Sequence, residues 1–363
     1  MLKKTIIHFM KNISGYENIF TNRFYRRFKF FASGIIEKRK LYNDAQKTIQ
    51  RFGVEFPSQA DEEKLISDML KMNRLYGFGF DEYLLYGFTD RSKNEKLAFV
   101  ADWEHTGYAN AMNDSKNNVL FDNKWKTYQK YKIFYQRDAV YCAEKTDKDQ
   151  FISFMKKHDS IIVKPIADSC GRGIKIIREG GSADLYENLM NDYKGGFVAE
   201  ELIRQSEEMA KFHPSSVNTI RVPTIRFDDG VQIIHPFMRI GQKGNYVDNA
   251  GSGGIICLID PETHTIIEAV DELGQRYSVH PDTKEQIIGF QIPRWDELKQ
   301  FANRLAQVVP ENRYTSWDLA LTDNGWVMVE GNRRGQFVGW QITSQVGFRK
   351  ELNDIMDKLG HKY

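Results

Sequence analysis

The sequence predicts an α+β fold in which hairpins and helices follow a mainly helical N-terminal region. Up to about residue 95, apolar residues recur at intervals of three and four, as in DEEKLISDMLKMNRLYGFG, which starts at Asp61. From about residue 115 onward, runs rich in β-branched residues alternate with polar helical segments, unlike the even rhythm of a doubly wound sheet. We therefore predict a helical, basic region at 1–95 followed by an α+β region.

The charge of the chain is unevenly distributed. Its 363 residues carry a formal net charge of +2, but residues 1–50 hold 11 Lys and Arg against 3 Asp and Glu. This basic arm includes NRFYRRFKFF, a pattern that suits an anionic membrane surface or an acidic partner, or else a solvated helix face. Because the rest of the chain is net acidic, nucleic-acid binding is not expected.

The cysteines and apolar runs favour a reduced, cytoplasmic setting. Cys142, Cys170 and Cys257 are scattered and form no CxxC pair, so neither a disulfide framework nor a zinc site is predicted. No apolar run approaches the roughly 20 residues that span a bilayer. The N-terminus also lacks the apolar core and cleavage site of a secretory signal.

The segment IIVKPIADSCGRGIKII, residues 161–177, places a lysine in an apolar run before a small polar loop. A buried ammonium is costly without an anion, so Lys164 is expected to meet one. Gly171 and Gly173 allow backbone N–H groups to approach phosphate oxygens closely. The segment also fits a plain hairpin turn with a lysine that reaches solvent. It contains neither a Walker A nor a dinucleotide-binding fingerprint.

A second hairpin, SWDLALTDNGWVMVEGN, spans residues 316–332. With a three-residue loop at 323–325, Asp318 pairs with Glu330 and Ser316 with Asn332. The remaining predicted pairs are Ala320 with Met328 and Thr322 with Trp326. One apolar face then consists of Trp317, Leu319, Leu321, Val327 and Val329.

The opposite face of this hairpin predicts a magnesium site. Two carboxylates directly across a ladder repel each other unless a cation lies between them. Asp318, Glu330 and Asn332 offer the hard oxygen ligands that Mg²⁺ prefers. Two alternatives stay open: a solvated acidic face, and a two-residue Asn-Gly turn that moves Asp318 to the other face.

Two further segments carry binding candidates. In GFVAEELI, an apolar run leads into residues 200–203, and such a hinge strand can offer backbone groups to an adenine edge. In VNTIRVPTIR, Arg221 projects from a strand and can grip phosphate or carboxylate with two N–H groups. Arg226 and Arg239 are weaker candidates of the same type.

In this order, the lysine strand with its glycine loop, the hinge with its glutamates and the Asp…Glu-x-Asn hairpin resemble the ATP-grasp superfamily. HPSSVNTIRVPT, WDLALTDNGWVMVEGN and VDNAGSGGI are similar to signatures of the sugar-transfer-associated ATP-grasp group, over roughly residues 115–345. The resemblance implies an ATP-grasp fold, in which two α+β subdomains clasp ATP, with Mg²⁺ as the metal. It also places the first subdomain within 96–215 and the second within 216–363.

The resemblance also implies roles for individual residues. The implied catalytic residues are Arg221, Lys164 and Arg239. Arg221 resembles an arginine that meets the γ-phosphate or an acyl phosphate. The implied nucleotide-binding set is Lys124, Lys164, Gly171, Arg172, Gly173, Glu200, Glu201, Leu202, Ile203, Glu208 and Asn218. The substrate-facing set is Asn249, Ser252 and Gly253, and the metal set is Asp318, Glu330 and Asn332. The ribose contact stays open among Asn218, Glu207 and Glu208.

The implied activity is the ATP-dependent joining of a carboxylate to an amine or related nucleophile through an acyl phosphate, with ADP released. Its setting would be the making or modification of a cell-surface polysaccharide or capsule, with substrates derived from sugars or amino acids. Two alternatives stay open: transfer of the γ-phosphoryl group to a hydroxyl, and a nucleotide-binding scaffold without turnover. The basic arm would allow peripheral contact with the inner face of the membrane.

Overall fold

The computed structural model describes residues 30, 37–166, 173–178, 183–244, 246, 248 and 253–361. Most of the basic arm therefore lies outside the described residues. Within the described residues, the chain forms two compact units: one from Met1–Met112 with Gln336–Tyr363, and one from Asn113–Gly335. The three segments predicted from the sequence, 1–95, 96–215 and 216–363, stay predictions.

The described part of the chain contains the following helices and strands. The α-helices are α1 Lys38–Arg51, α2 Gln59–Tyr76, α3 Phe80–Leu85, α4 Lys93–Ala98, α5 Asp102–Met112, α6 Asn118–Asp122, α7 Lys124–Tyr135, α8 Lys148–Met155, α9 Ala183–Asp192, α10 Glu207–Ala210, α11 Trp295–Gln307, α12 Val338–Ser344 and α13 Arg349–Lys358. The strands are β1 Ala139–Cys142, β2 Ser160–Pro165, β3 Lys175–Arg178, β4 Phe197–Glu201, β5 Thr219–Phe227, β6 Gly230–Ile233, β7 Phe237–Ile240, β8 Ile255–Ile259, β9 Ile266–Val270, β10 Tyr314–Thr322 and β11 Gly325–Asn332.

The first unit is helical where it is described, as the apolar spacing predicts. Helix α2 begins after Ser58, whose side chain accepts a hydrogen bond from the backbone N–H of Asp61. It ends at Gly77, which adopts the left-handed conformation with φ 77°. The segment that starts at Asp61 in the sequence is therefore a capped helix.

Residues from the C-terminal end of the chain complete this helical unit. The buried side chain of Gln341 in α12 donates hydrogen bonds to the Val100 carbonyl and the Tyr86 hydroxyl. It also accepts hydrogen bonds from the backbone N–H groups of Val100 and Phe348. An amide with both ends satisfied in this way fixes α12 against the loop before α5.

The second unit contains two antiparallel sheets. The smaller sheet has the strand order β1-β4-β2-β3, and the larger sheet has the order β11-β10-β5-β7-β8-β9 with β6 paired to β5. The predicted hairpin around Lys164 is present, because β2 and β3 pair with Val163 opposite Lys175. The smaller sheet packs helices α8 and α9 on a core that includes Phe151, Tyr186 and Phe197.

The larger sheet buries its apolar face against α7 and α11. Its core includes Trp317, Leu319 and Leu321 from β10, together with Phe134 of α7 and Phe301 of α11. This arrangement leaves the opposite face of β10 and β11 for polar side chains, because side chains alternate along each strand.

The β10–β11 hairpin corrects the predicted loop. Thr322 pairs with Gly325, so the loop has two residues, Asp323 and Asn324, and the predicted three-residue loop is wrong. A bulge follows, since the register shifts between Asp318 and Leu319 and passes over Val329.

The bulge cancels the error in the loop. Asp318 pairs with Glu330 and Ser316 with Asn332, as predicted. Between the loop and the bulge the observed pairs are Leu319–Met328 and Leu321–Trp326, so the predicted Ala320–Met328 and Thr322–Trp326 pairs are wrong. Trp326 and Met328 therefore lie in the core cluster with Trp317, and Val327 and Val329 do not, although Val327 is buried.

Among the described helices, none combines the length and apolar character that crossing a lipid bilayer requires.

Candidate functional site

Lys164 lies in β2 and is 7% exposed. Its Nζ donates a hydrogen bond of 3.0 Å to Oε2 of Glu200, which lies on the neighbouring strand β4. Glu200 is itself 3% exposed, so the two charges are buried together. The sequence-based expectation that Lys164 meets an anion is thus met by the protein's own carboxylate in this structure.

Arg137 is a second cation on the same carboxylate, and the sequence reasoning missed it. Its Nε and Nη2 donate hydrogen bonds of 2.9 and 2.5 Å to Glu200 Oε2. Arg137 lies between α7 and β1 in the polar stretch YQRD, which resembles an exposed loop. Its guanidinium is buried because it stands over the ring of Tyr135, 4.5 Å from the ring centroid.

The charges of this cluster set its protonation. Burial alone would raise the pKa of Glu200, but Lys164 and Arg137 outweigh it and lower the pKa to about 2. Burial, assisted by repulsion from Arg137, lowers the pKa of Lys164, and Glu200 opposes that shift. Two cations therefore share one carboxylate, which keeps Glu200 ionised and leaves Lys164 only partly compensated.

The predicted metal set lies on one face of the β10–β11 hairpin. Asp318 and Glu330 are cross-strand partners, and Asn332 Nδ2 is 3.4 Å from Asp318 Oδ2. Lys124 approaches the set from the first turn of α7, with its Nζ 3.9 Å from Glu330 Oε1. The backbone N–H of Lys124 donates a 3.0 Å hydrogen bond to the Ile166 carbonyl, which holds α7 beside the end of β2.

Two arginines of the larger sheet hold Asp318. Arg221 pairs with Asp318 across β5 and β10 and donates two hydrogen bonds of 2.8 Å to its carboxylate. Arg239 Nη2 lies 3.0 Å from Asp318 Oδ2 and 3.3 Å from Asp248 Oδ1. Burial would raise the pKa of Asp318, but Arg221 and Arg239 lower it.

Asp248 is the fourth charged residue of the cluster that Asp318 forms with Arg221 and Arg239. Its Oδ2 accepts hydrogen bonds from the backbone N–H and the hydroxyl of Thr219, while Arg239 also donates to the Thr219 hydroxyl. Burial raises the pKa of Asp248, and Arg239 counteracts part of that effect. Two arginines and two carboxylates thus balance one another on this face.

The predicted metal set offers donor types that Mg²⁺ takes, two carboxylates and an amide, while both Asp318 oxygens are engaged by arginines in this structure. Asp318 Oδ1 accepts from Arg221 Nε, whereas the nitrogens of Arg221, Arg239 and Asn332 gather on Oδ2. Glu330 is half-exposed and only distantly paired with Lys124. Across the described ranges, no three His, Cys, Asp or Glu side chains are grouped for a metal. Two carboxylates and an amide suit an ion that completes its shell with water and substrate phosphates.

The other predicted site residues are placed as follows. Gly173 has φ 70°, and its carbonyl accepts a hydrogen bond from the Tyr193 hydroxyl. The Gly253 carbonyl accepts a hydrogen bond from the side chain of Gln242. Glu208 is exposed on α10. Gly171, Arg172, Asn249 and Ser252 lie outside the described residues.

The hinge residues and Asn218 engage other parts of the second unit. The backbone N–H groups of Glu201 and Leu202 donate to the carbonyls of Asp138 and Ser160, and Ile203 is half-buried beyond them. Asn218 is fully buried, where its amide donates to the Met209 carbonyl and accepts from the Gly241 N–H. These contacts favour a structural part for Asn218 over the ribose contact, which stays an untested prediction.

Comparisons with solved structures return ATP-grasp proteins. D-alanine–D-alanine ligase from Helicobacter pylori is similar over 68% of this chain and 63% of that chain, with 12% sequence identity and a TM-score of 0.44. The ATP-grasp ligase PsnB complexed with minimal precursor, Mg and ADP is similar over 76% and 74%, with 14% identity and a TM-score of 0.41. N5-carboxyaminoimidazole synthetase from Staphylococcus aureus, complexed with ADP, is similar over 67% and 52%, with 12% identity and a TM-score of 0.38.

The chain spans 63% of the length of the D-alanine–D-alanine ligase, less than two thirds. No curated protein sequence matches this chain. The family model described as sugar-transfer associated ATP-grasp matches residues 104–357, which contain all of the described site residues. This match confirms the resemblance predicted over residues 115–345 and, with the two antiparallel sheets, the ATP-grasp fold. The chain belongs to the sugar-transfer associated ATP-grasp family.

Proposed function

We propose that the protein is an ATP-dependent, ADP-forming ligase that joins a carboxylate to an amine or related nucleophile through an acyl phosphate. The observation that carries this proposal is the placement of Asp318 opposite Glu330, with Lys124 3.9 Å from Glu330 and Arg221 on Asp318. This placement supports a metal site with phosphate-directed cations beside it. The family's description supports a part in making or modifying a cell-surface polysaccharide.

The chemistry follows from what a carboxylate lacks. An amine cannot displace oxide from a carboxylate, whereas phosphate is a good leaving group from an acyl phosphate. ATP, when bound, supplies the γ-phosphoryl group; Asp318, Glu330 and Asn332 would hold Mg²⁺, which would neutralise part of its charge. The carboxylate oxygen forms a bond to phosphorus as ADP leaves. The amine then attacks the acyl carbon and loses a proton to solvent, and phosphate leaves with the former carboxylate oxygen.

The chain's own cations have distinct tasks in this scheme. Lys124 and Lys164 would hold nucleotide phosphates. Arg221 and Arg239, preorganised by Asp318 and Asp248, would stabilise charge that develops on the transferred phosphoryl group. No covalent enzyme nucleophile is required. Catalysis would depend on positioning and on fixed charge in a partly buried site.

The first experiment is a screen of sugar acids and amino acids as carboxylate and amine substrates, read out as acceptor-dependent ADP release. Once the screen has identified an active pair of substrates, Glu330→Gln should lower turnover by about 10³-fold or more, because it removes a metal-ligand charge. Glu187→Gln is the matched control, since Glu187 forms a half-exposed pair with Lys148. Near-normal turnover of Glu330→Gln would contradict the metal assignment.

The same screen separates the alternatives. A phosphotransferase would give a stable phosphorylated hydroxyl product and no free phosphate coupled to amide formation. A nucleotide-binding scaffold would bind ATP and release no ADP with any acceptor.

Peripheral membrane contact through the basic arm is a further part of this proposal. It can be tested by flotation of vesicles that contain anionic lipids, with and without residues 1–50. Equal partitioning of the two proteins would rule the contact out.

A further inference from the structure

Arg137 and Lys164 share Glu200 as their hydrogen-bonded anion, and Glu330 is a further negative charge that acts on Lys164. Arg137, Lys164 and Glu200 are 8%, 7% and 3% exposed, so water does little to solvate their charges. All three hydrogen bonds from the two cations end on the same oxygen, Glu200 Oε2. One carboxylate oxygen therefore serves two buried cations, and Lys164, with one hydrogen bond to it against two from Arg137, is the cation more easily drawn to another anion.

Arg137 is fixed independently of Lys164. Its Nη1 donates hydrogen bonds of 2.6 Å to the Met328 carbonyl and 3.1 Å to the Tyr135 carbonyl. Met328 lies in β11, two residues before Glu330, at the bulge that restores the register of the metal set. Arg137 therefore stays in place if Lys164 moves, whereas Lys164 contributes a single hydrogen bond to Glu200.

We propose that Arg137 is a positioning residue for nucleotide binding: it neutralises Glu200, so that Lys164 can turn to a phosphate without leaving a buried carboxylate unpaired. This inference rests on the proposed function, because it assumes that a nucleotide phosphate is the anion that draws Lys164 away. Glu200 then binds Lys164 while no nucleotide is bound. Because Arg137 stays on Glu200, Lys164 can leave for a phosphate and return.

The proposal predicts that two substitutions change nucleotide affinity in opposite directions. In Arg137→Met, Lys164 is the remaining cation on Glu200, and its departure to a phosphate would strand a buried charge. Nucleotide affinity should therefore fall by roughly tenfold or more. Adding Glu200→Gln removes the charge that detains Lys164, so the double variant should recover most of that affinity.

A structural role for Arg137 predicts the reverse. If Arg137 mattered only through its bond to the Met328 carbonyl, the double variant would bind nucleotide as poorly as Arg137→Met, because both lack that bond. Arg137→Lys provides a second route if Arg137→Met folds poorly. It keeps a cation for Glu200 but loses the fork that reaches Met328, and its affinity should stay within about threefold of wild type.

The experiment is calorimetric titration of the full-length protein with ADP and Mg²⁺, without any acceptor. Arg313→Met, which removes an arginine from a pair with the exposed Asp228, is the matched control and should bind like wild type. Recovery in the double variant supports the proposal; equal weakness of single and double variants, with normal binding by wild type, overturns it alone. Absence of ADP binding by wild-type protein would overturn both this inference and the proposed function.

Discussion

Glu82 in the helical unit and Glu200 in the four-stranded sheet are both buried glutamates, yet their pKa values shift in opposite directions. Glu82 is 8% exposed and accepts hydrogen bonds of 2.6 Å from the backbone N–H groups of Gly79 and Asp102. Burial raises its pKa to about 8, with a smaller contribution from the negative charges of Asp102 and Glu104. Glu200, held by Lys164 and Arg137, has its pKa lowered to about 2.

The difference shows what makes a buried carboxyl part of a charged site. Glu82 links the N-termini of α3 and α5, a task that a neutral acceptor can share. Glu200 holds two cations, and only an anion can do that. Burial by itself therefore says little about function, whereas burial together with two cations on one carboxylate indicates a place where an anionic ligand can enter.

The largest expected effect is the loss of protein stability when Glu200 loses its charge. Glu200→Gln leaves Arg137 and Lys164 buried without a counter-charge and should lower the free energy of unfolding by about 3–5 kcal/mol at pH 7. Glu82→Gln keeps one acceptor oxygen for two N–H donors and removes the cost of protonating Glu82 on folding, so at pH 7 it should cost no more than about 1 kcal/mol. Urea denaturation followed by circular dichroism measures both. Equal losses would mean that the cations do not distinguish the two sites.

The pH dependence of stability should differ in sign between the two glutamates. The folded pKa of Glu200, about 2, lies below its ordinary 4.5, so its stabilisation is complete above pH 4.5 and disappears as the pH falls toward 2. The folded pKa of Glu82, about 8, lies above 4.5, so its stabilisation is complete below pH 4.5 and disappears as the pH rises toward 8. The change amounts to about 3 kcal/mol for Glu200 and about 5 kcal/mol for Glu82.

Paired denaturation curves across pH test these signs. Relative to wild type, Glu200→Gln should flatten the acid limb of the stability curve, and Glu82→Gln should flatten the limb between pH 4.5 and 8. A Glu82→Gln variant that lost stability in parallel with wild type up to pH 8 would show that Glu82 is ionised throughout.

The sequence predicted the opposition of Asp318 and Glu330 for partly wrong reasons. Alternation along β10 and β11 identifies the polar face, but the loop is one residue shorter than predicted and the bulge at Val329 compensates for it. The bulge depends on tertiary packing. A Cβ on Gly331 would lie 2.8 Å from the Trp317 ring, so this glycine gives the ring its room. Strand alternation is local, whereas that contact depends on the folded sheet.

Arg137 illustrates the other limit of sequence reasoning. Lys164 stands out because it interrupts an apolar run, whereas Arg137 stands in a polar stretch where an arginine is ordinary. Its burial results from the fold, which brings the start of β1 beside both β4 and Met328 of β11. Pairing between distant strands is needed to reveal such a residue.

Glu104 is a third buried glutamate; it lies in the helical unit, as Glu82 does, but is paired with a cation, as Glu200 is. It tests whether the ion pair or the unit determines the loss of stability on substitution. Glu104 is 1% exposed and accepts hydrogen bonds of 3.0 and 2.6 Å from Arg349 of α13. Arg349→Met should lower the free energy of unfolding by about 2–3 kcal/mol, because it removes the cation from the buried Glu104 carboxylate and keeps the Ala101 N–H as a donor to it. Arg349→Lys should fall between that variant and wild type. A loss as small as that of Glu82→Gln would assign the difference to the helical unit and not to the ion pair.

The smallest effect is expected where the same chemistry is exposed. Arg313 Nη2 lies 2.8 Å from Asp228 Oδ1, as close as Arg221 lies to Asp318, but the Asp228 side chain is 87% exposed. Water solvates both partners whether or not they meet, so Asp228→Asn should change the free energy of unfolding by less than about 0.5 kcal/mol. Urea denaturation of Asp228→Asn and of Glu200→Gln under the same conditions compares the two losses directly. If Asp228→Asn cost as much as Glu200→Gln, the distance between the charged atoms and not their burial would determine the stability of these pairs, and the two buried cations on Glu200 would lose their meaning as a sign of an anion site.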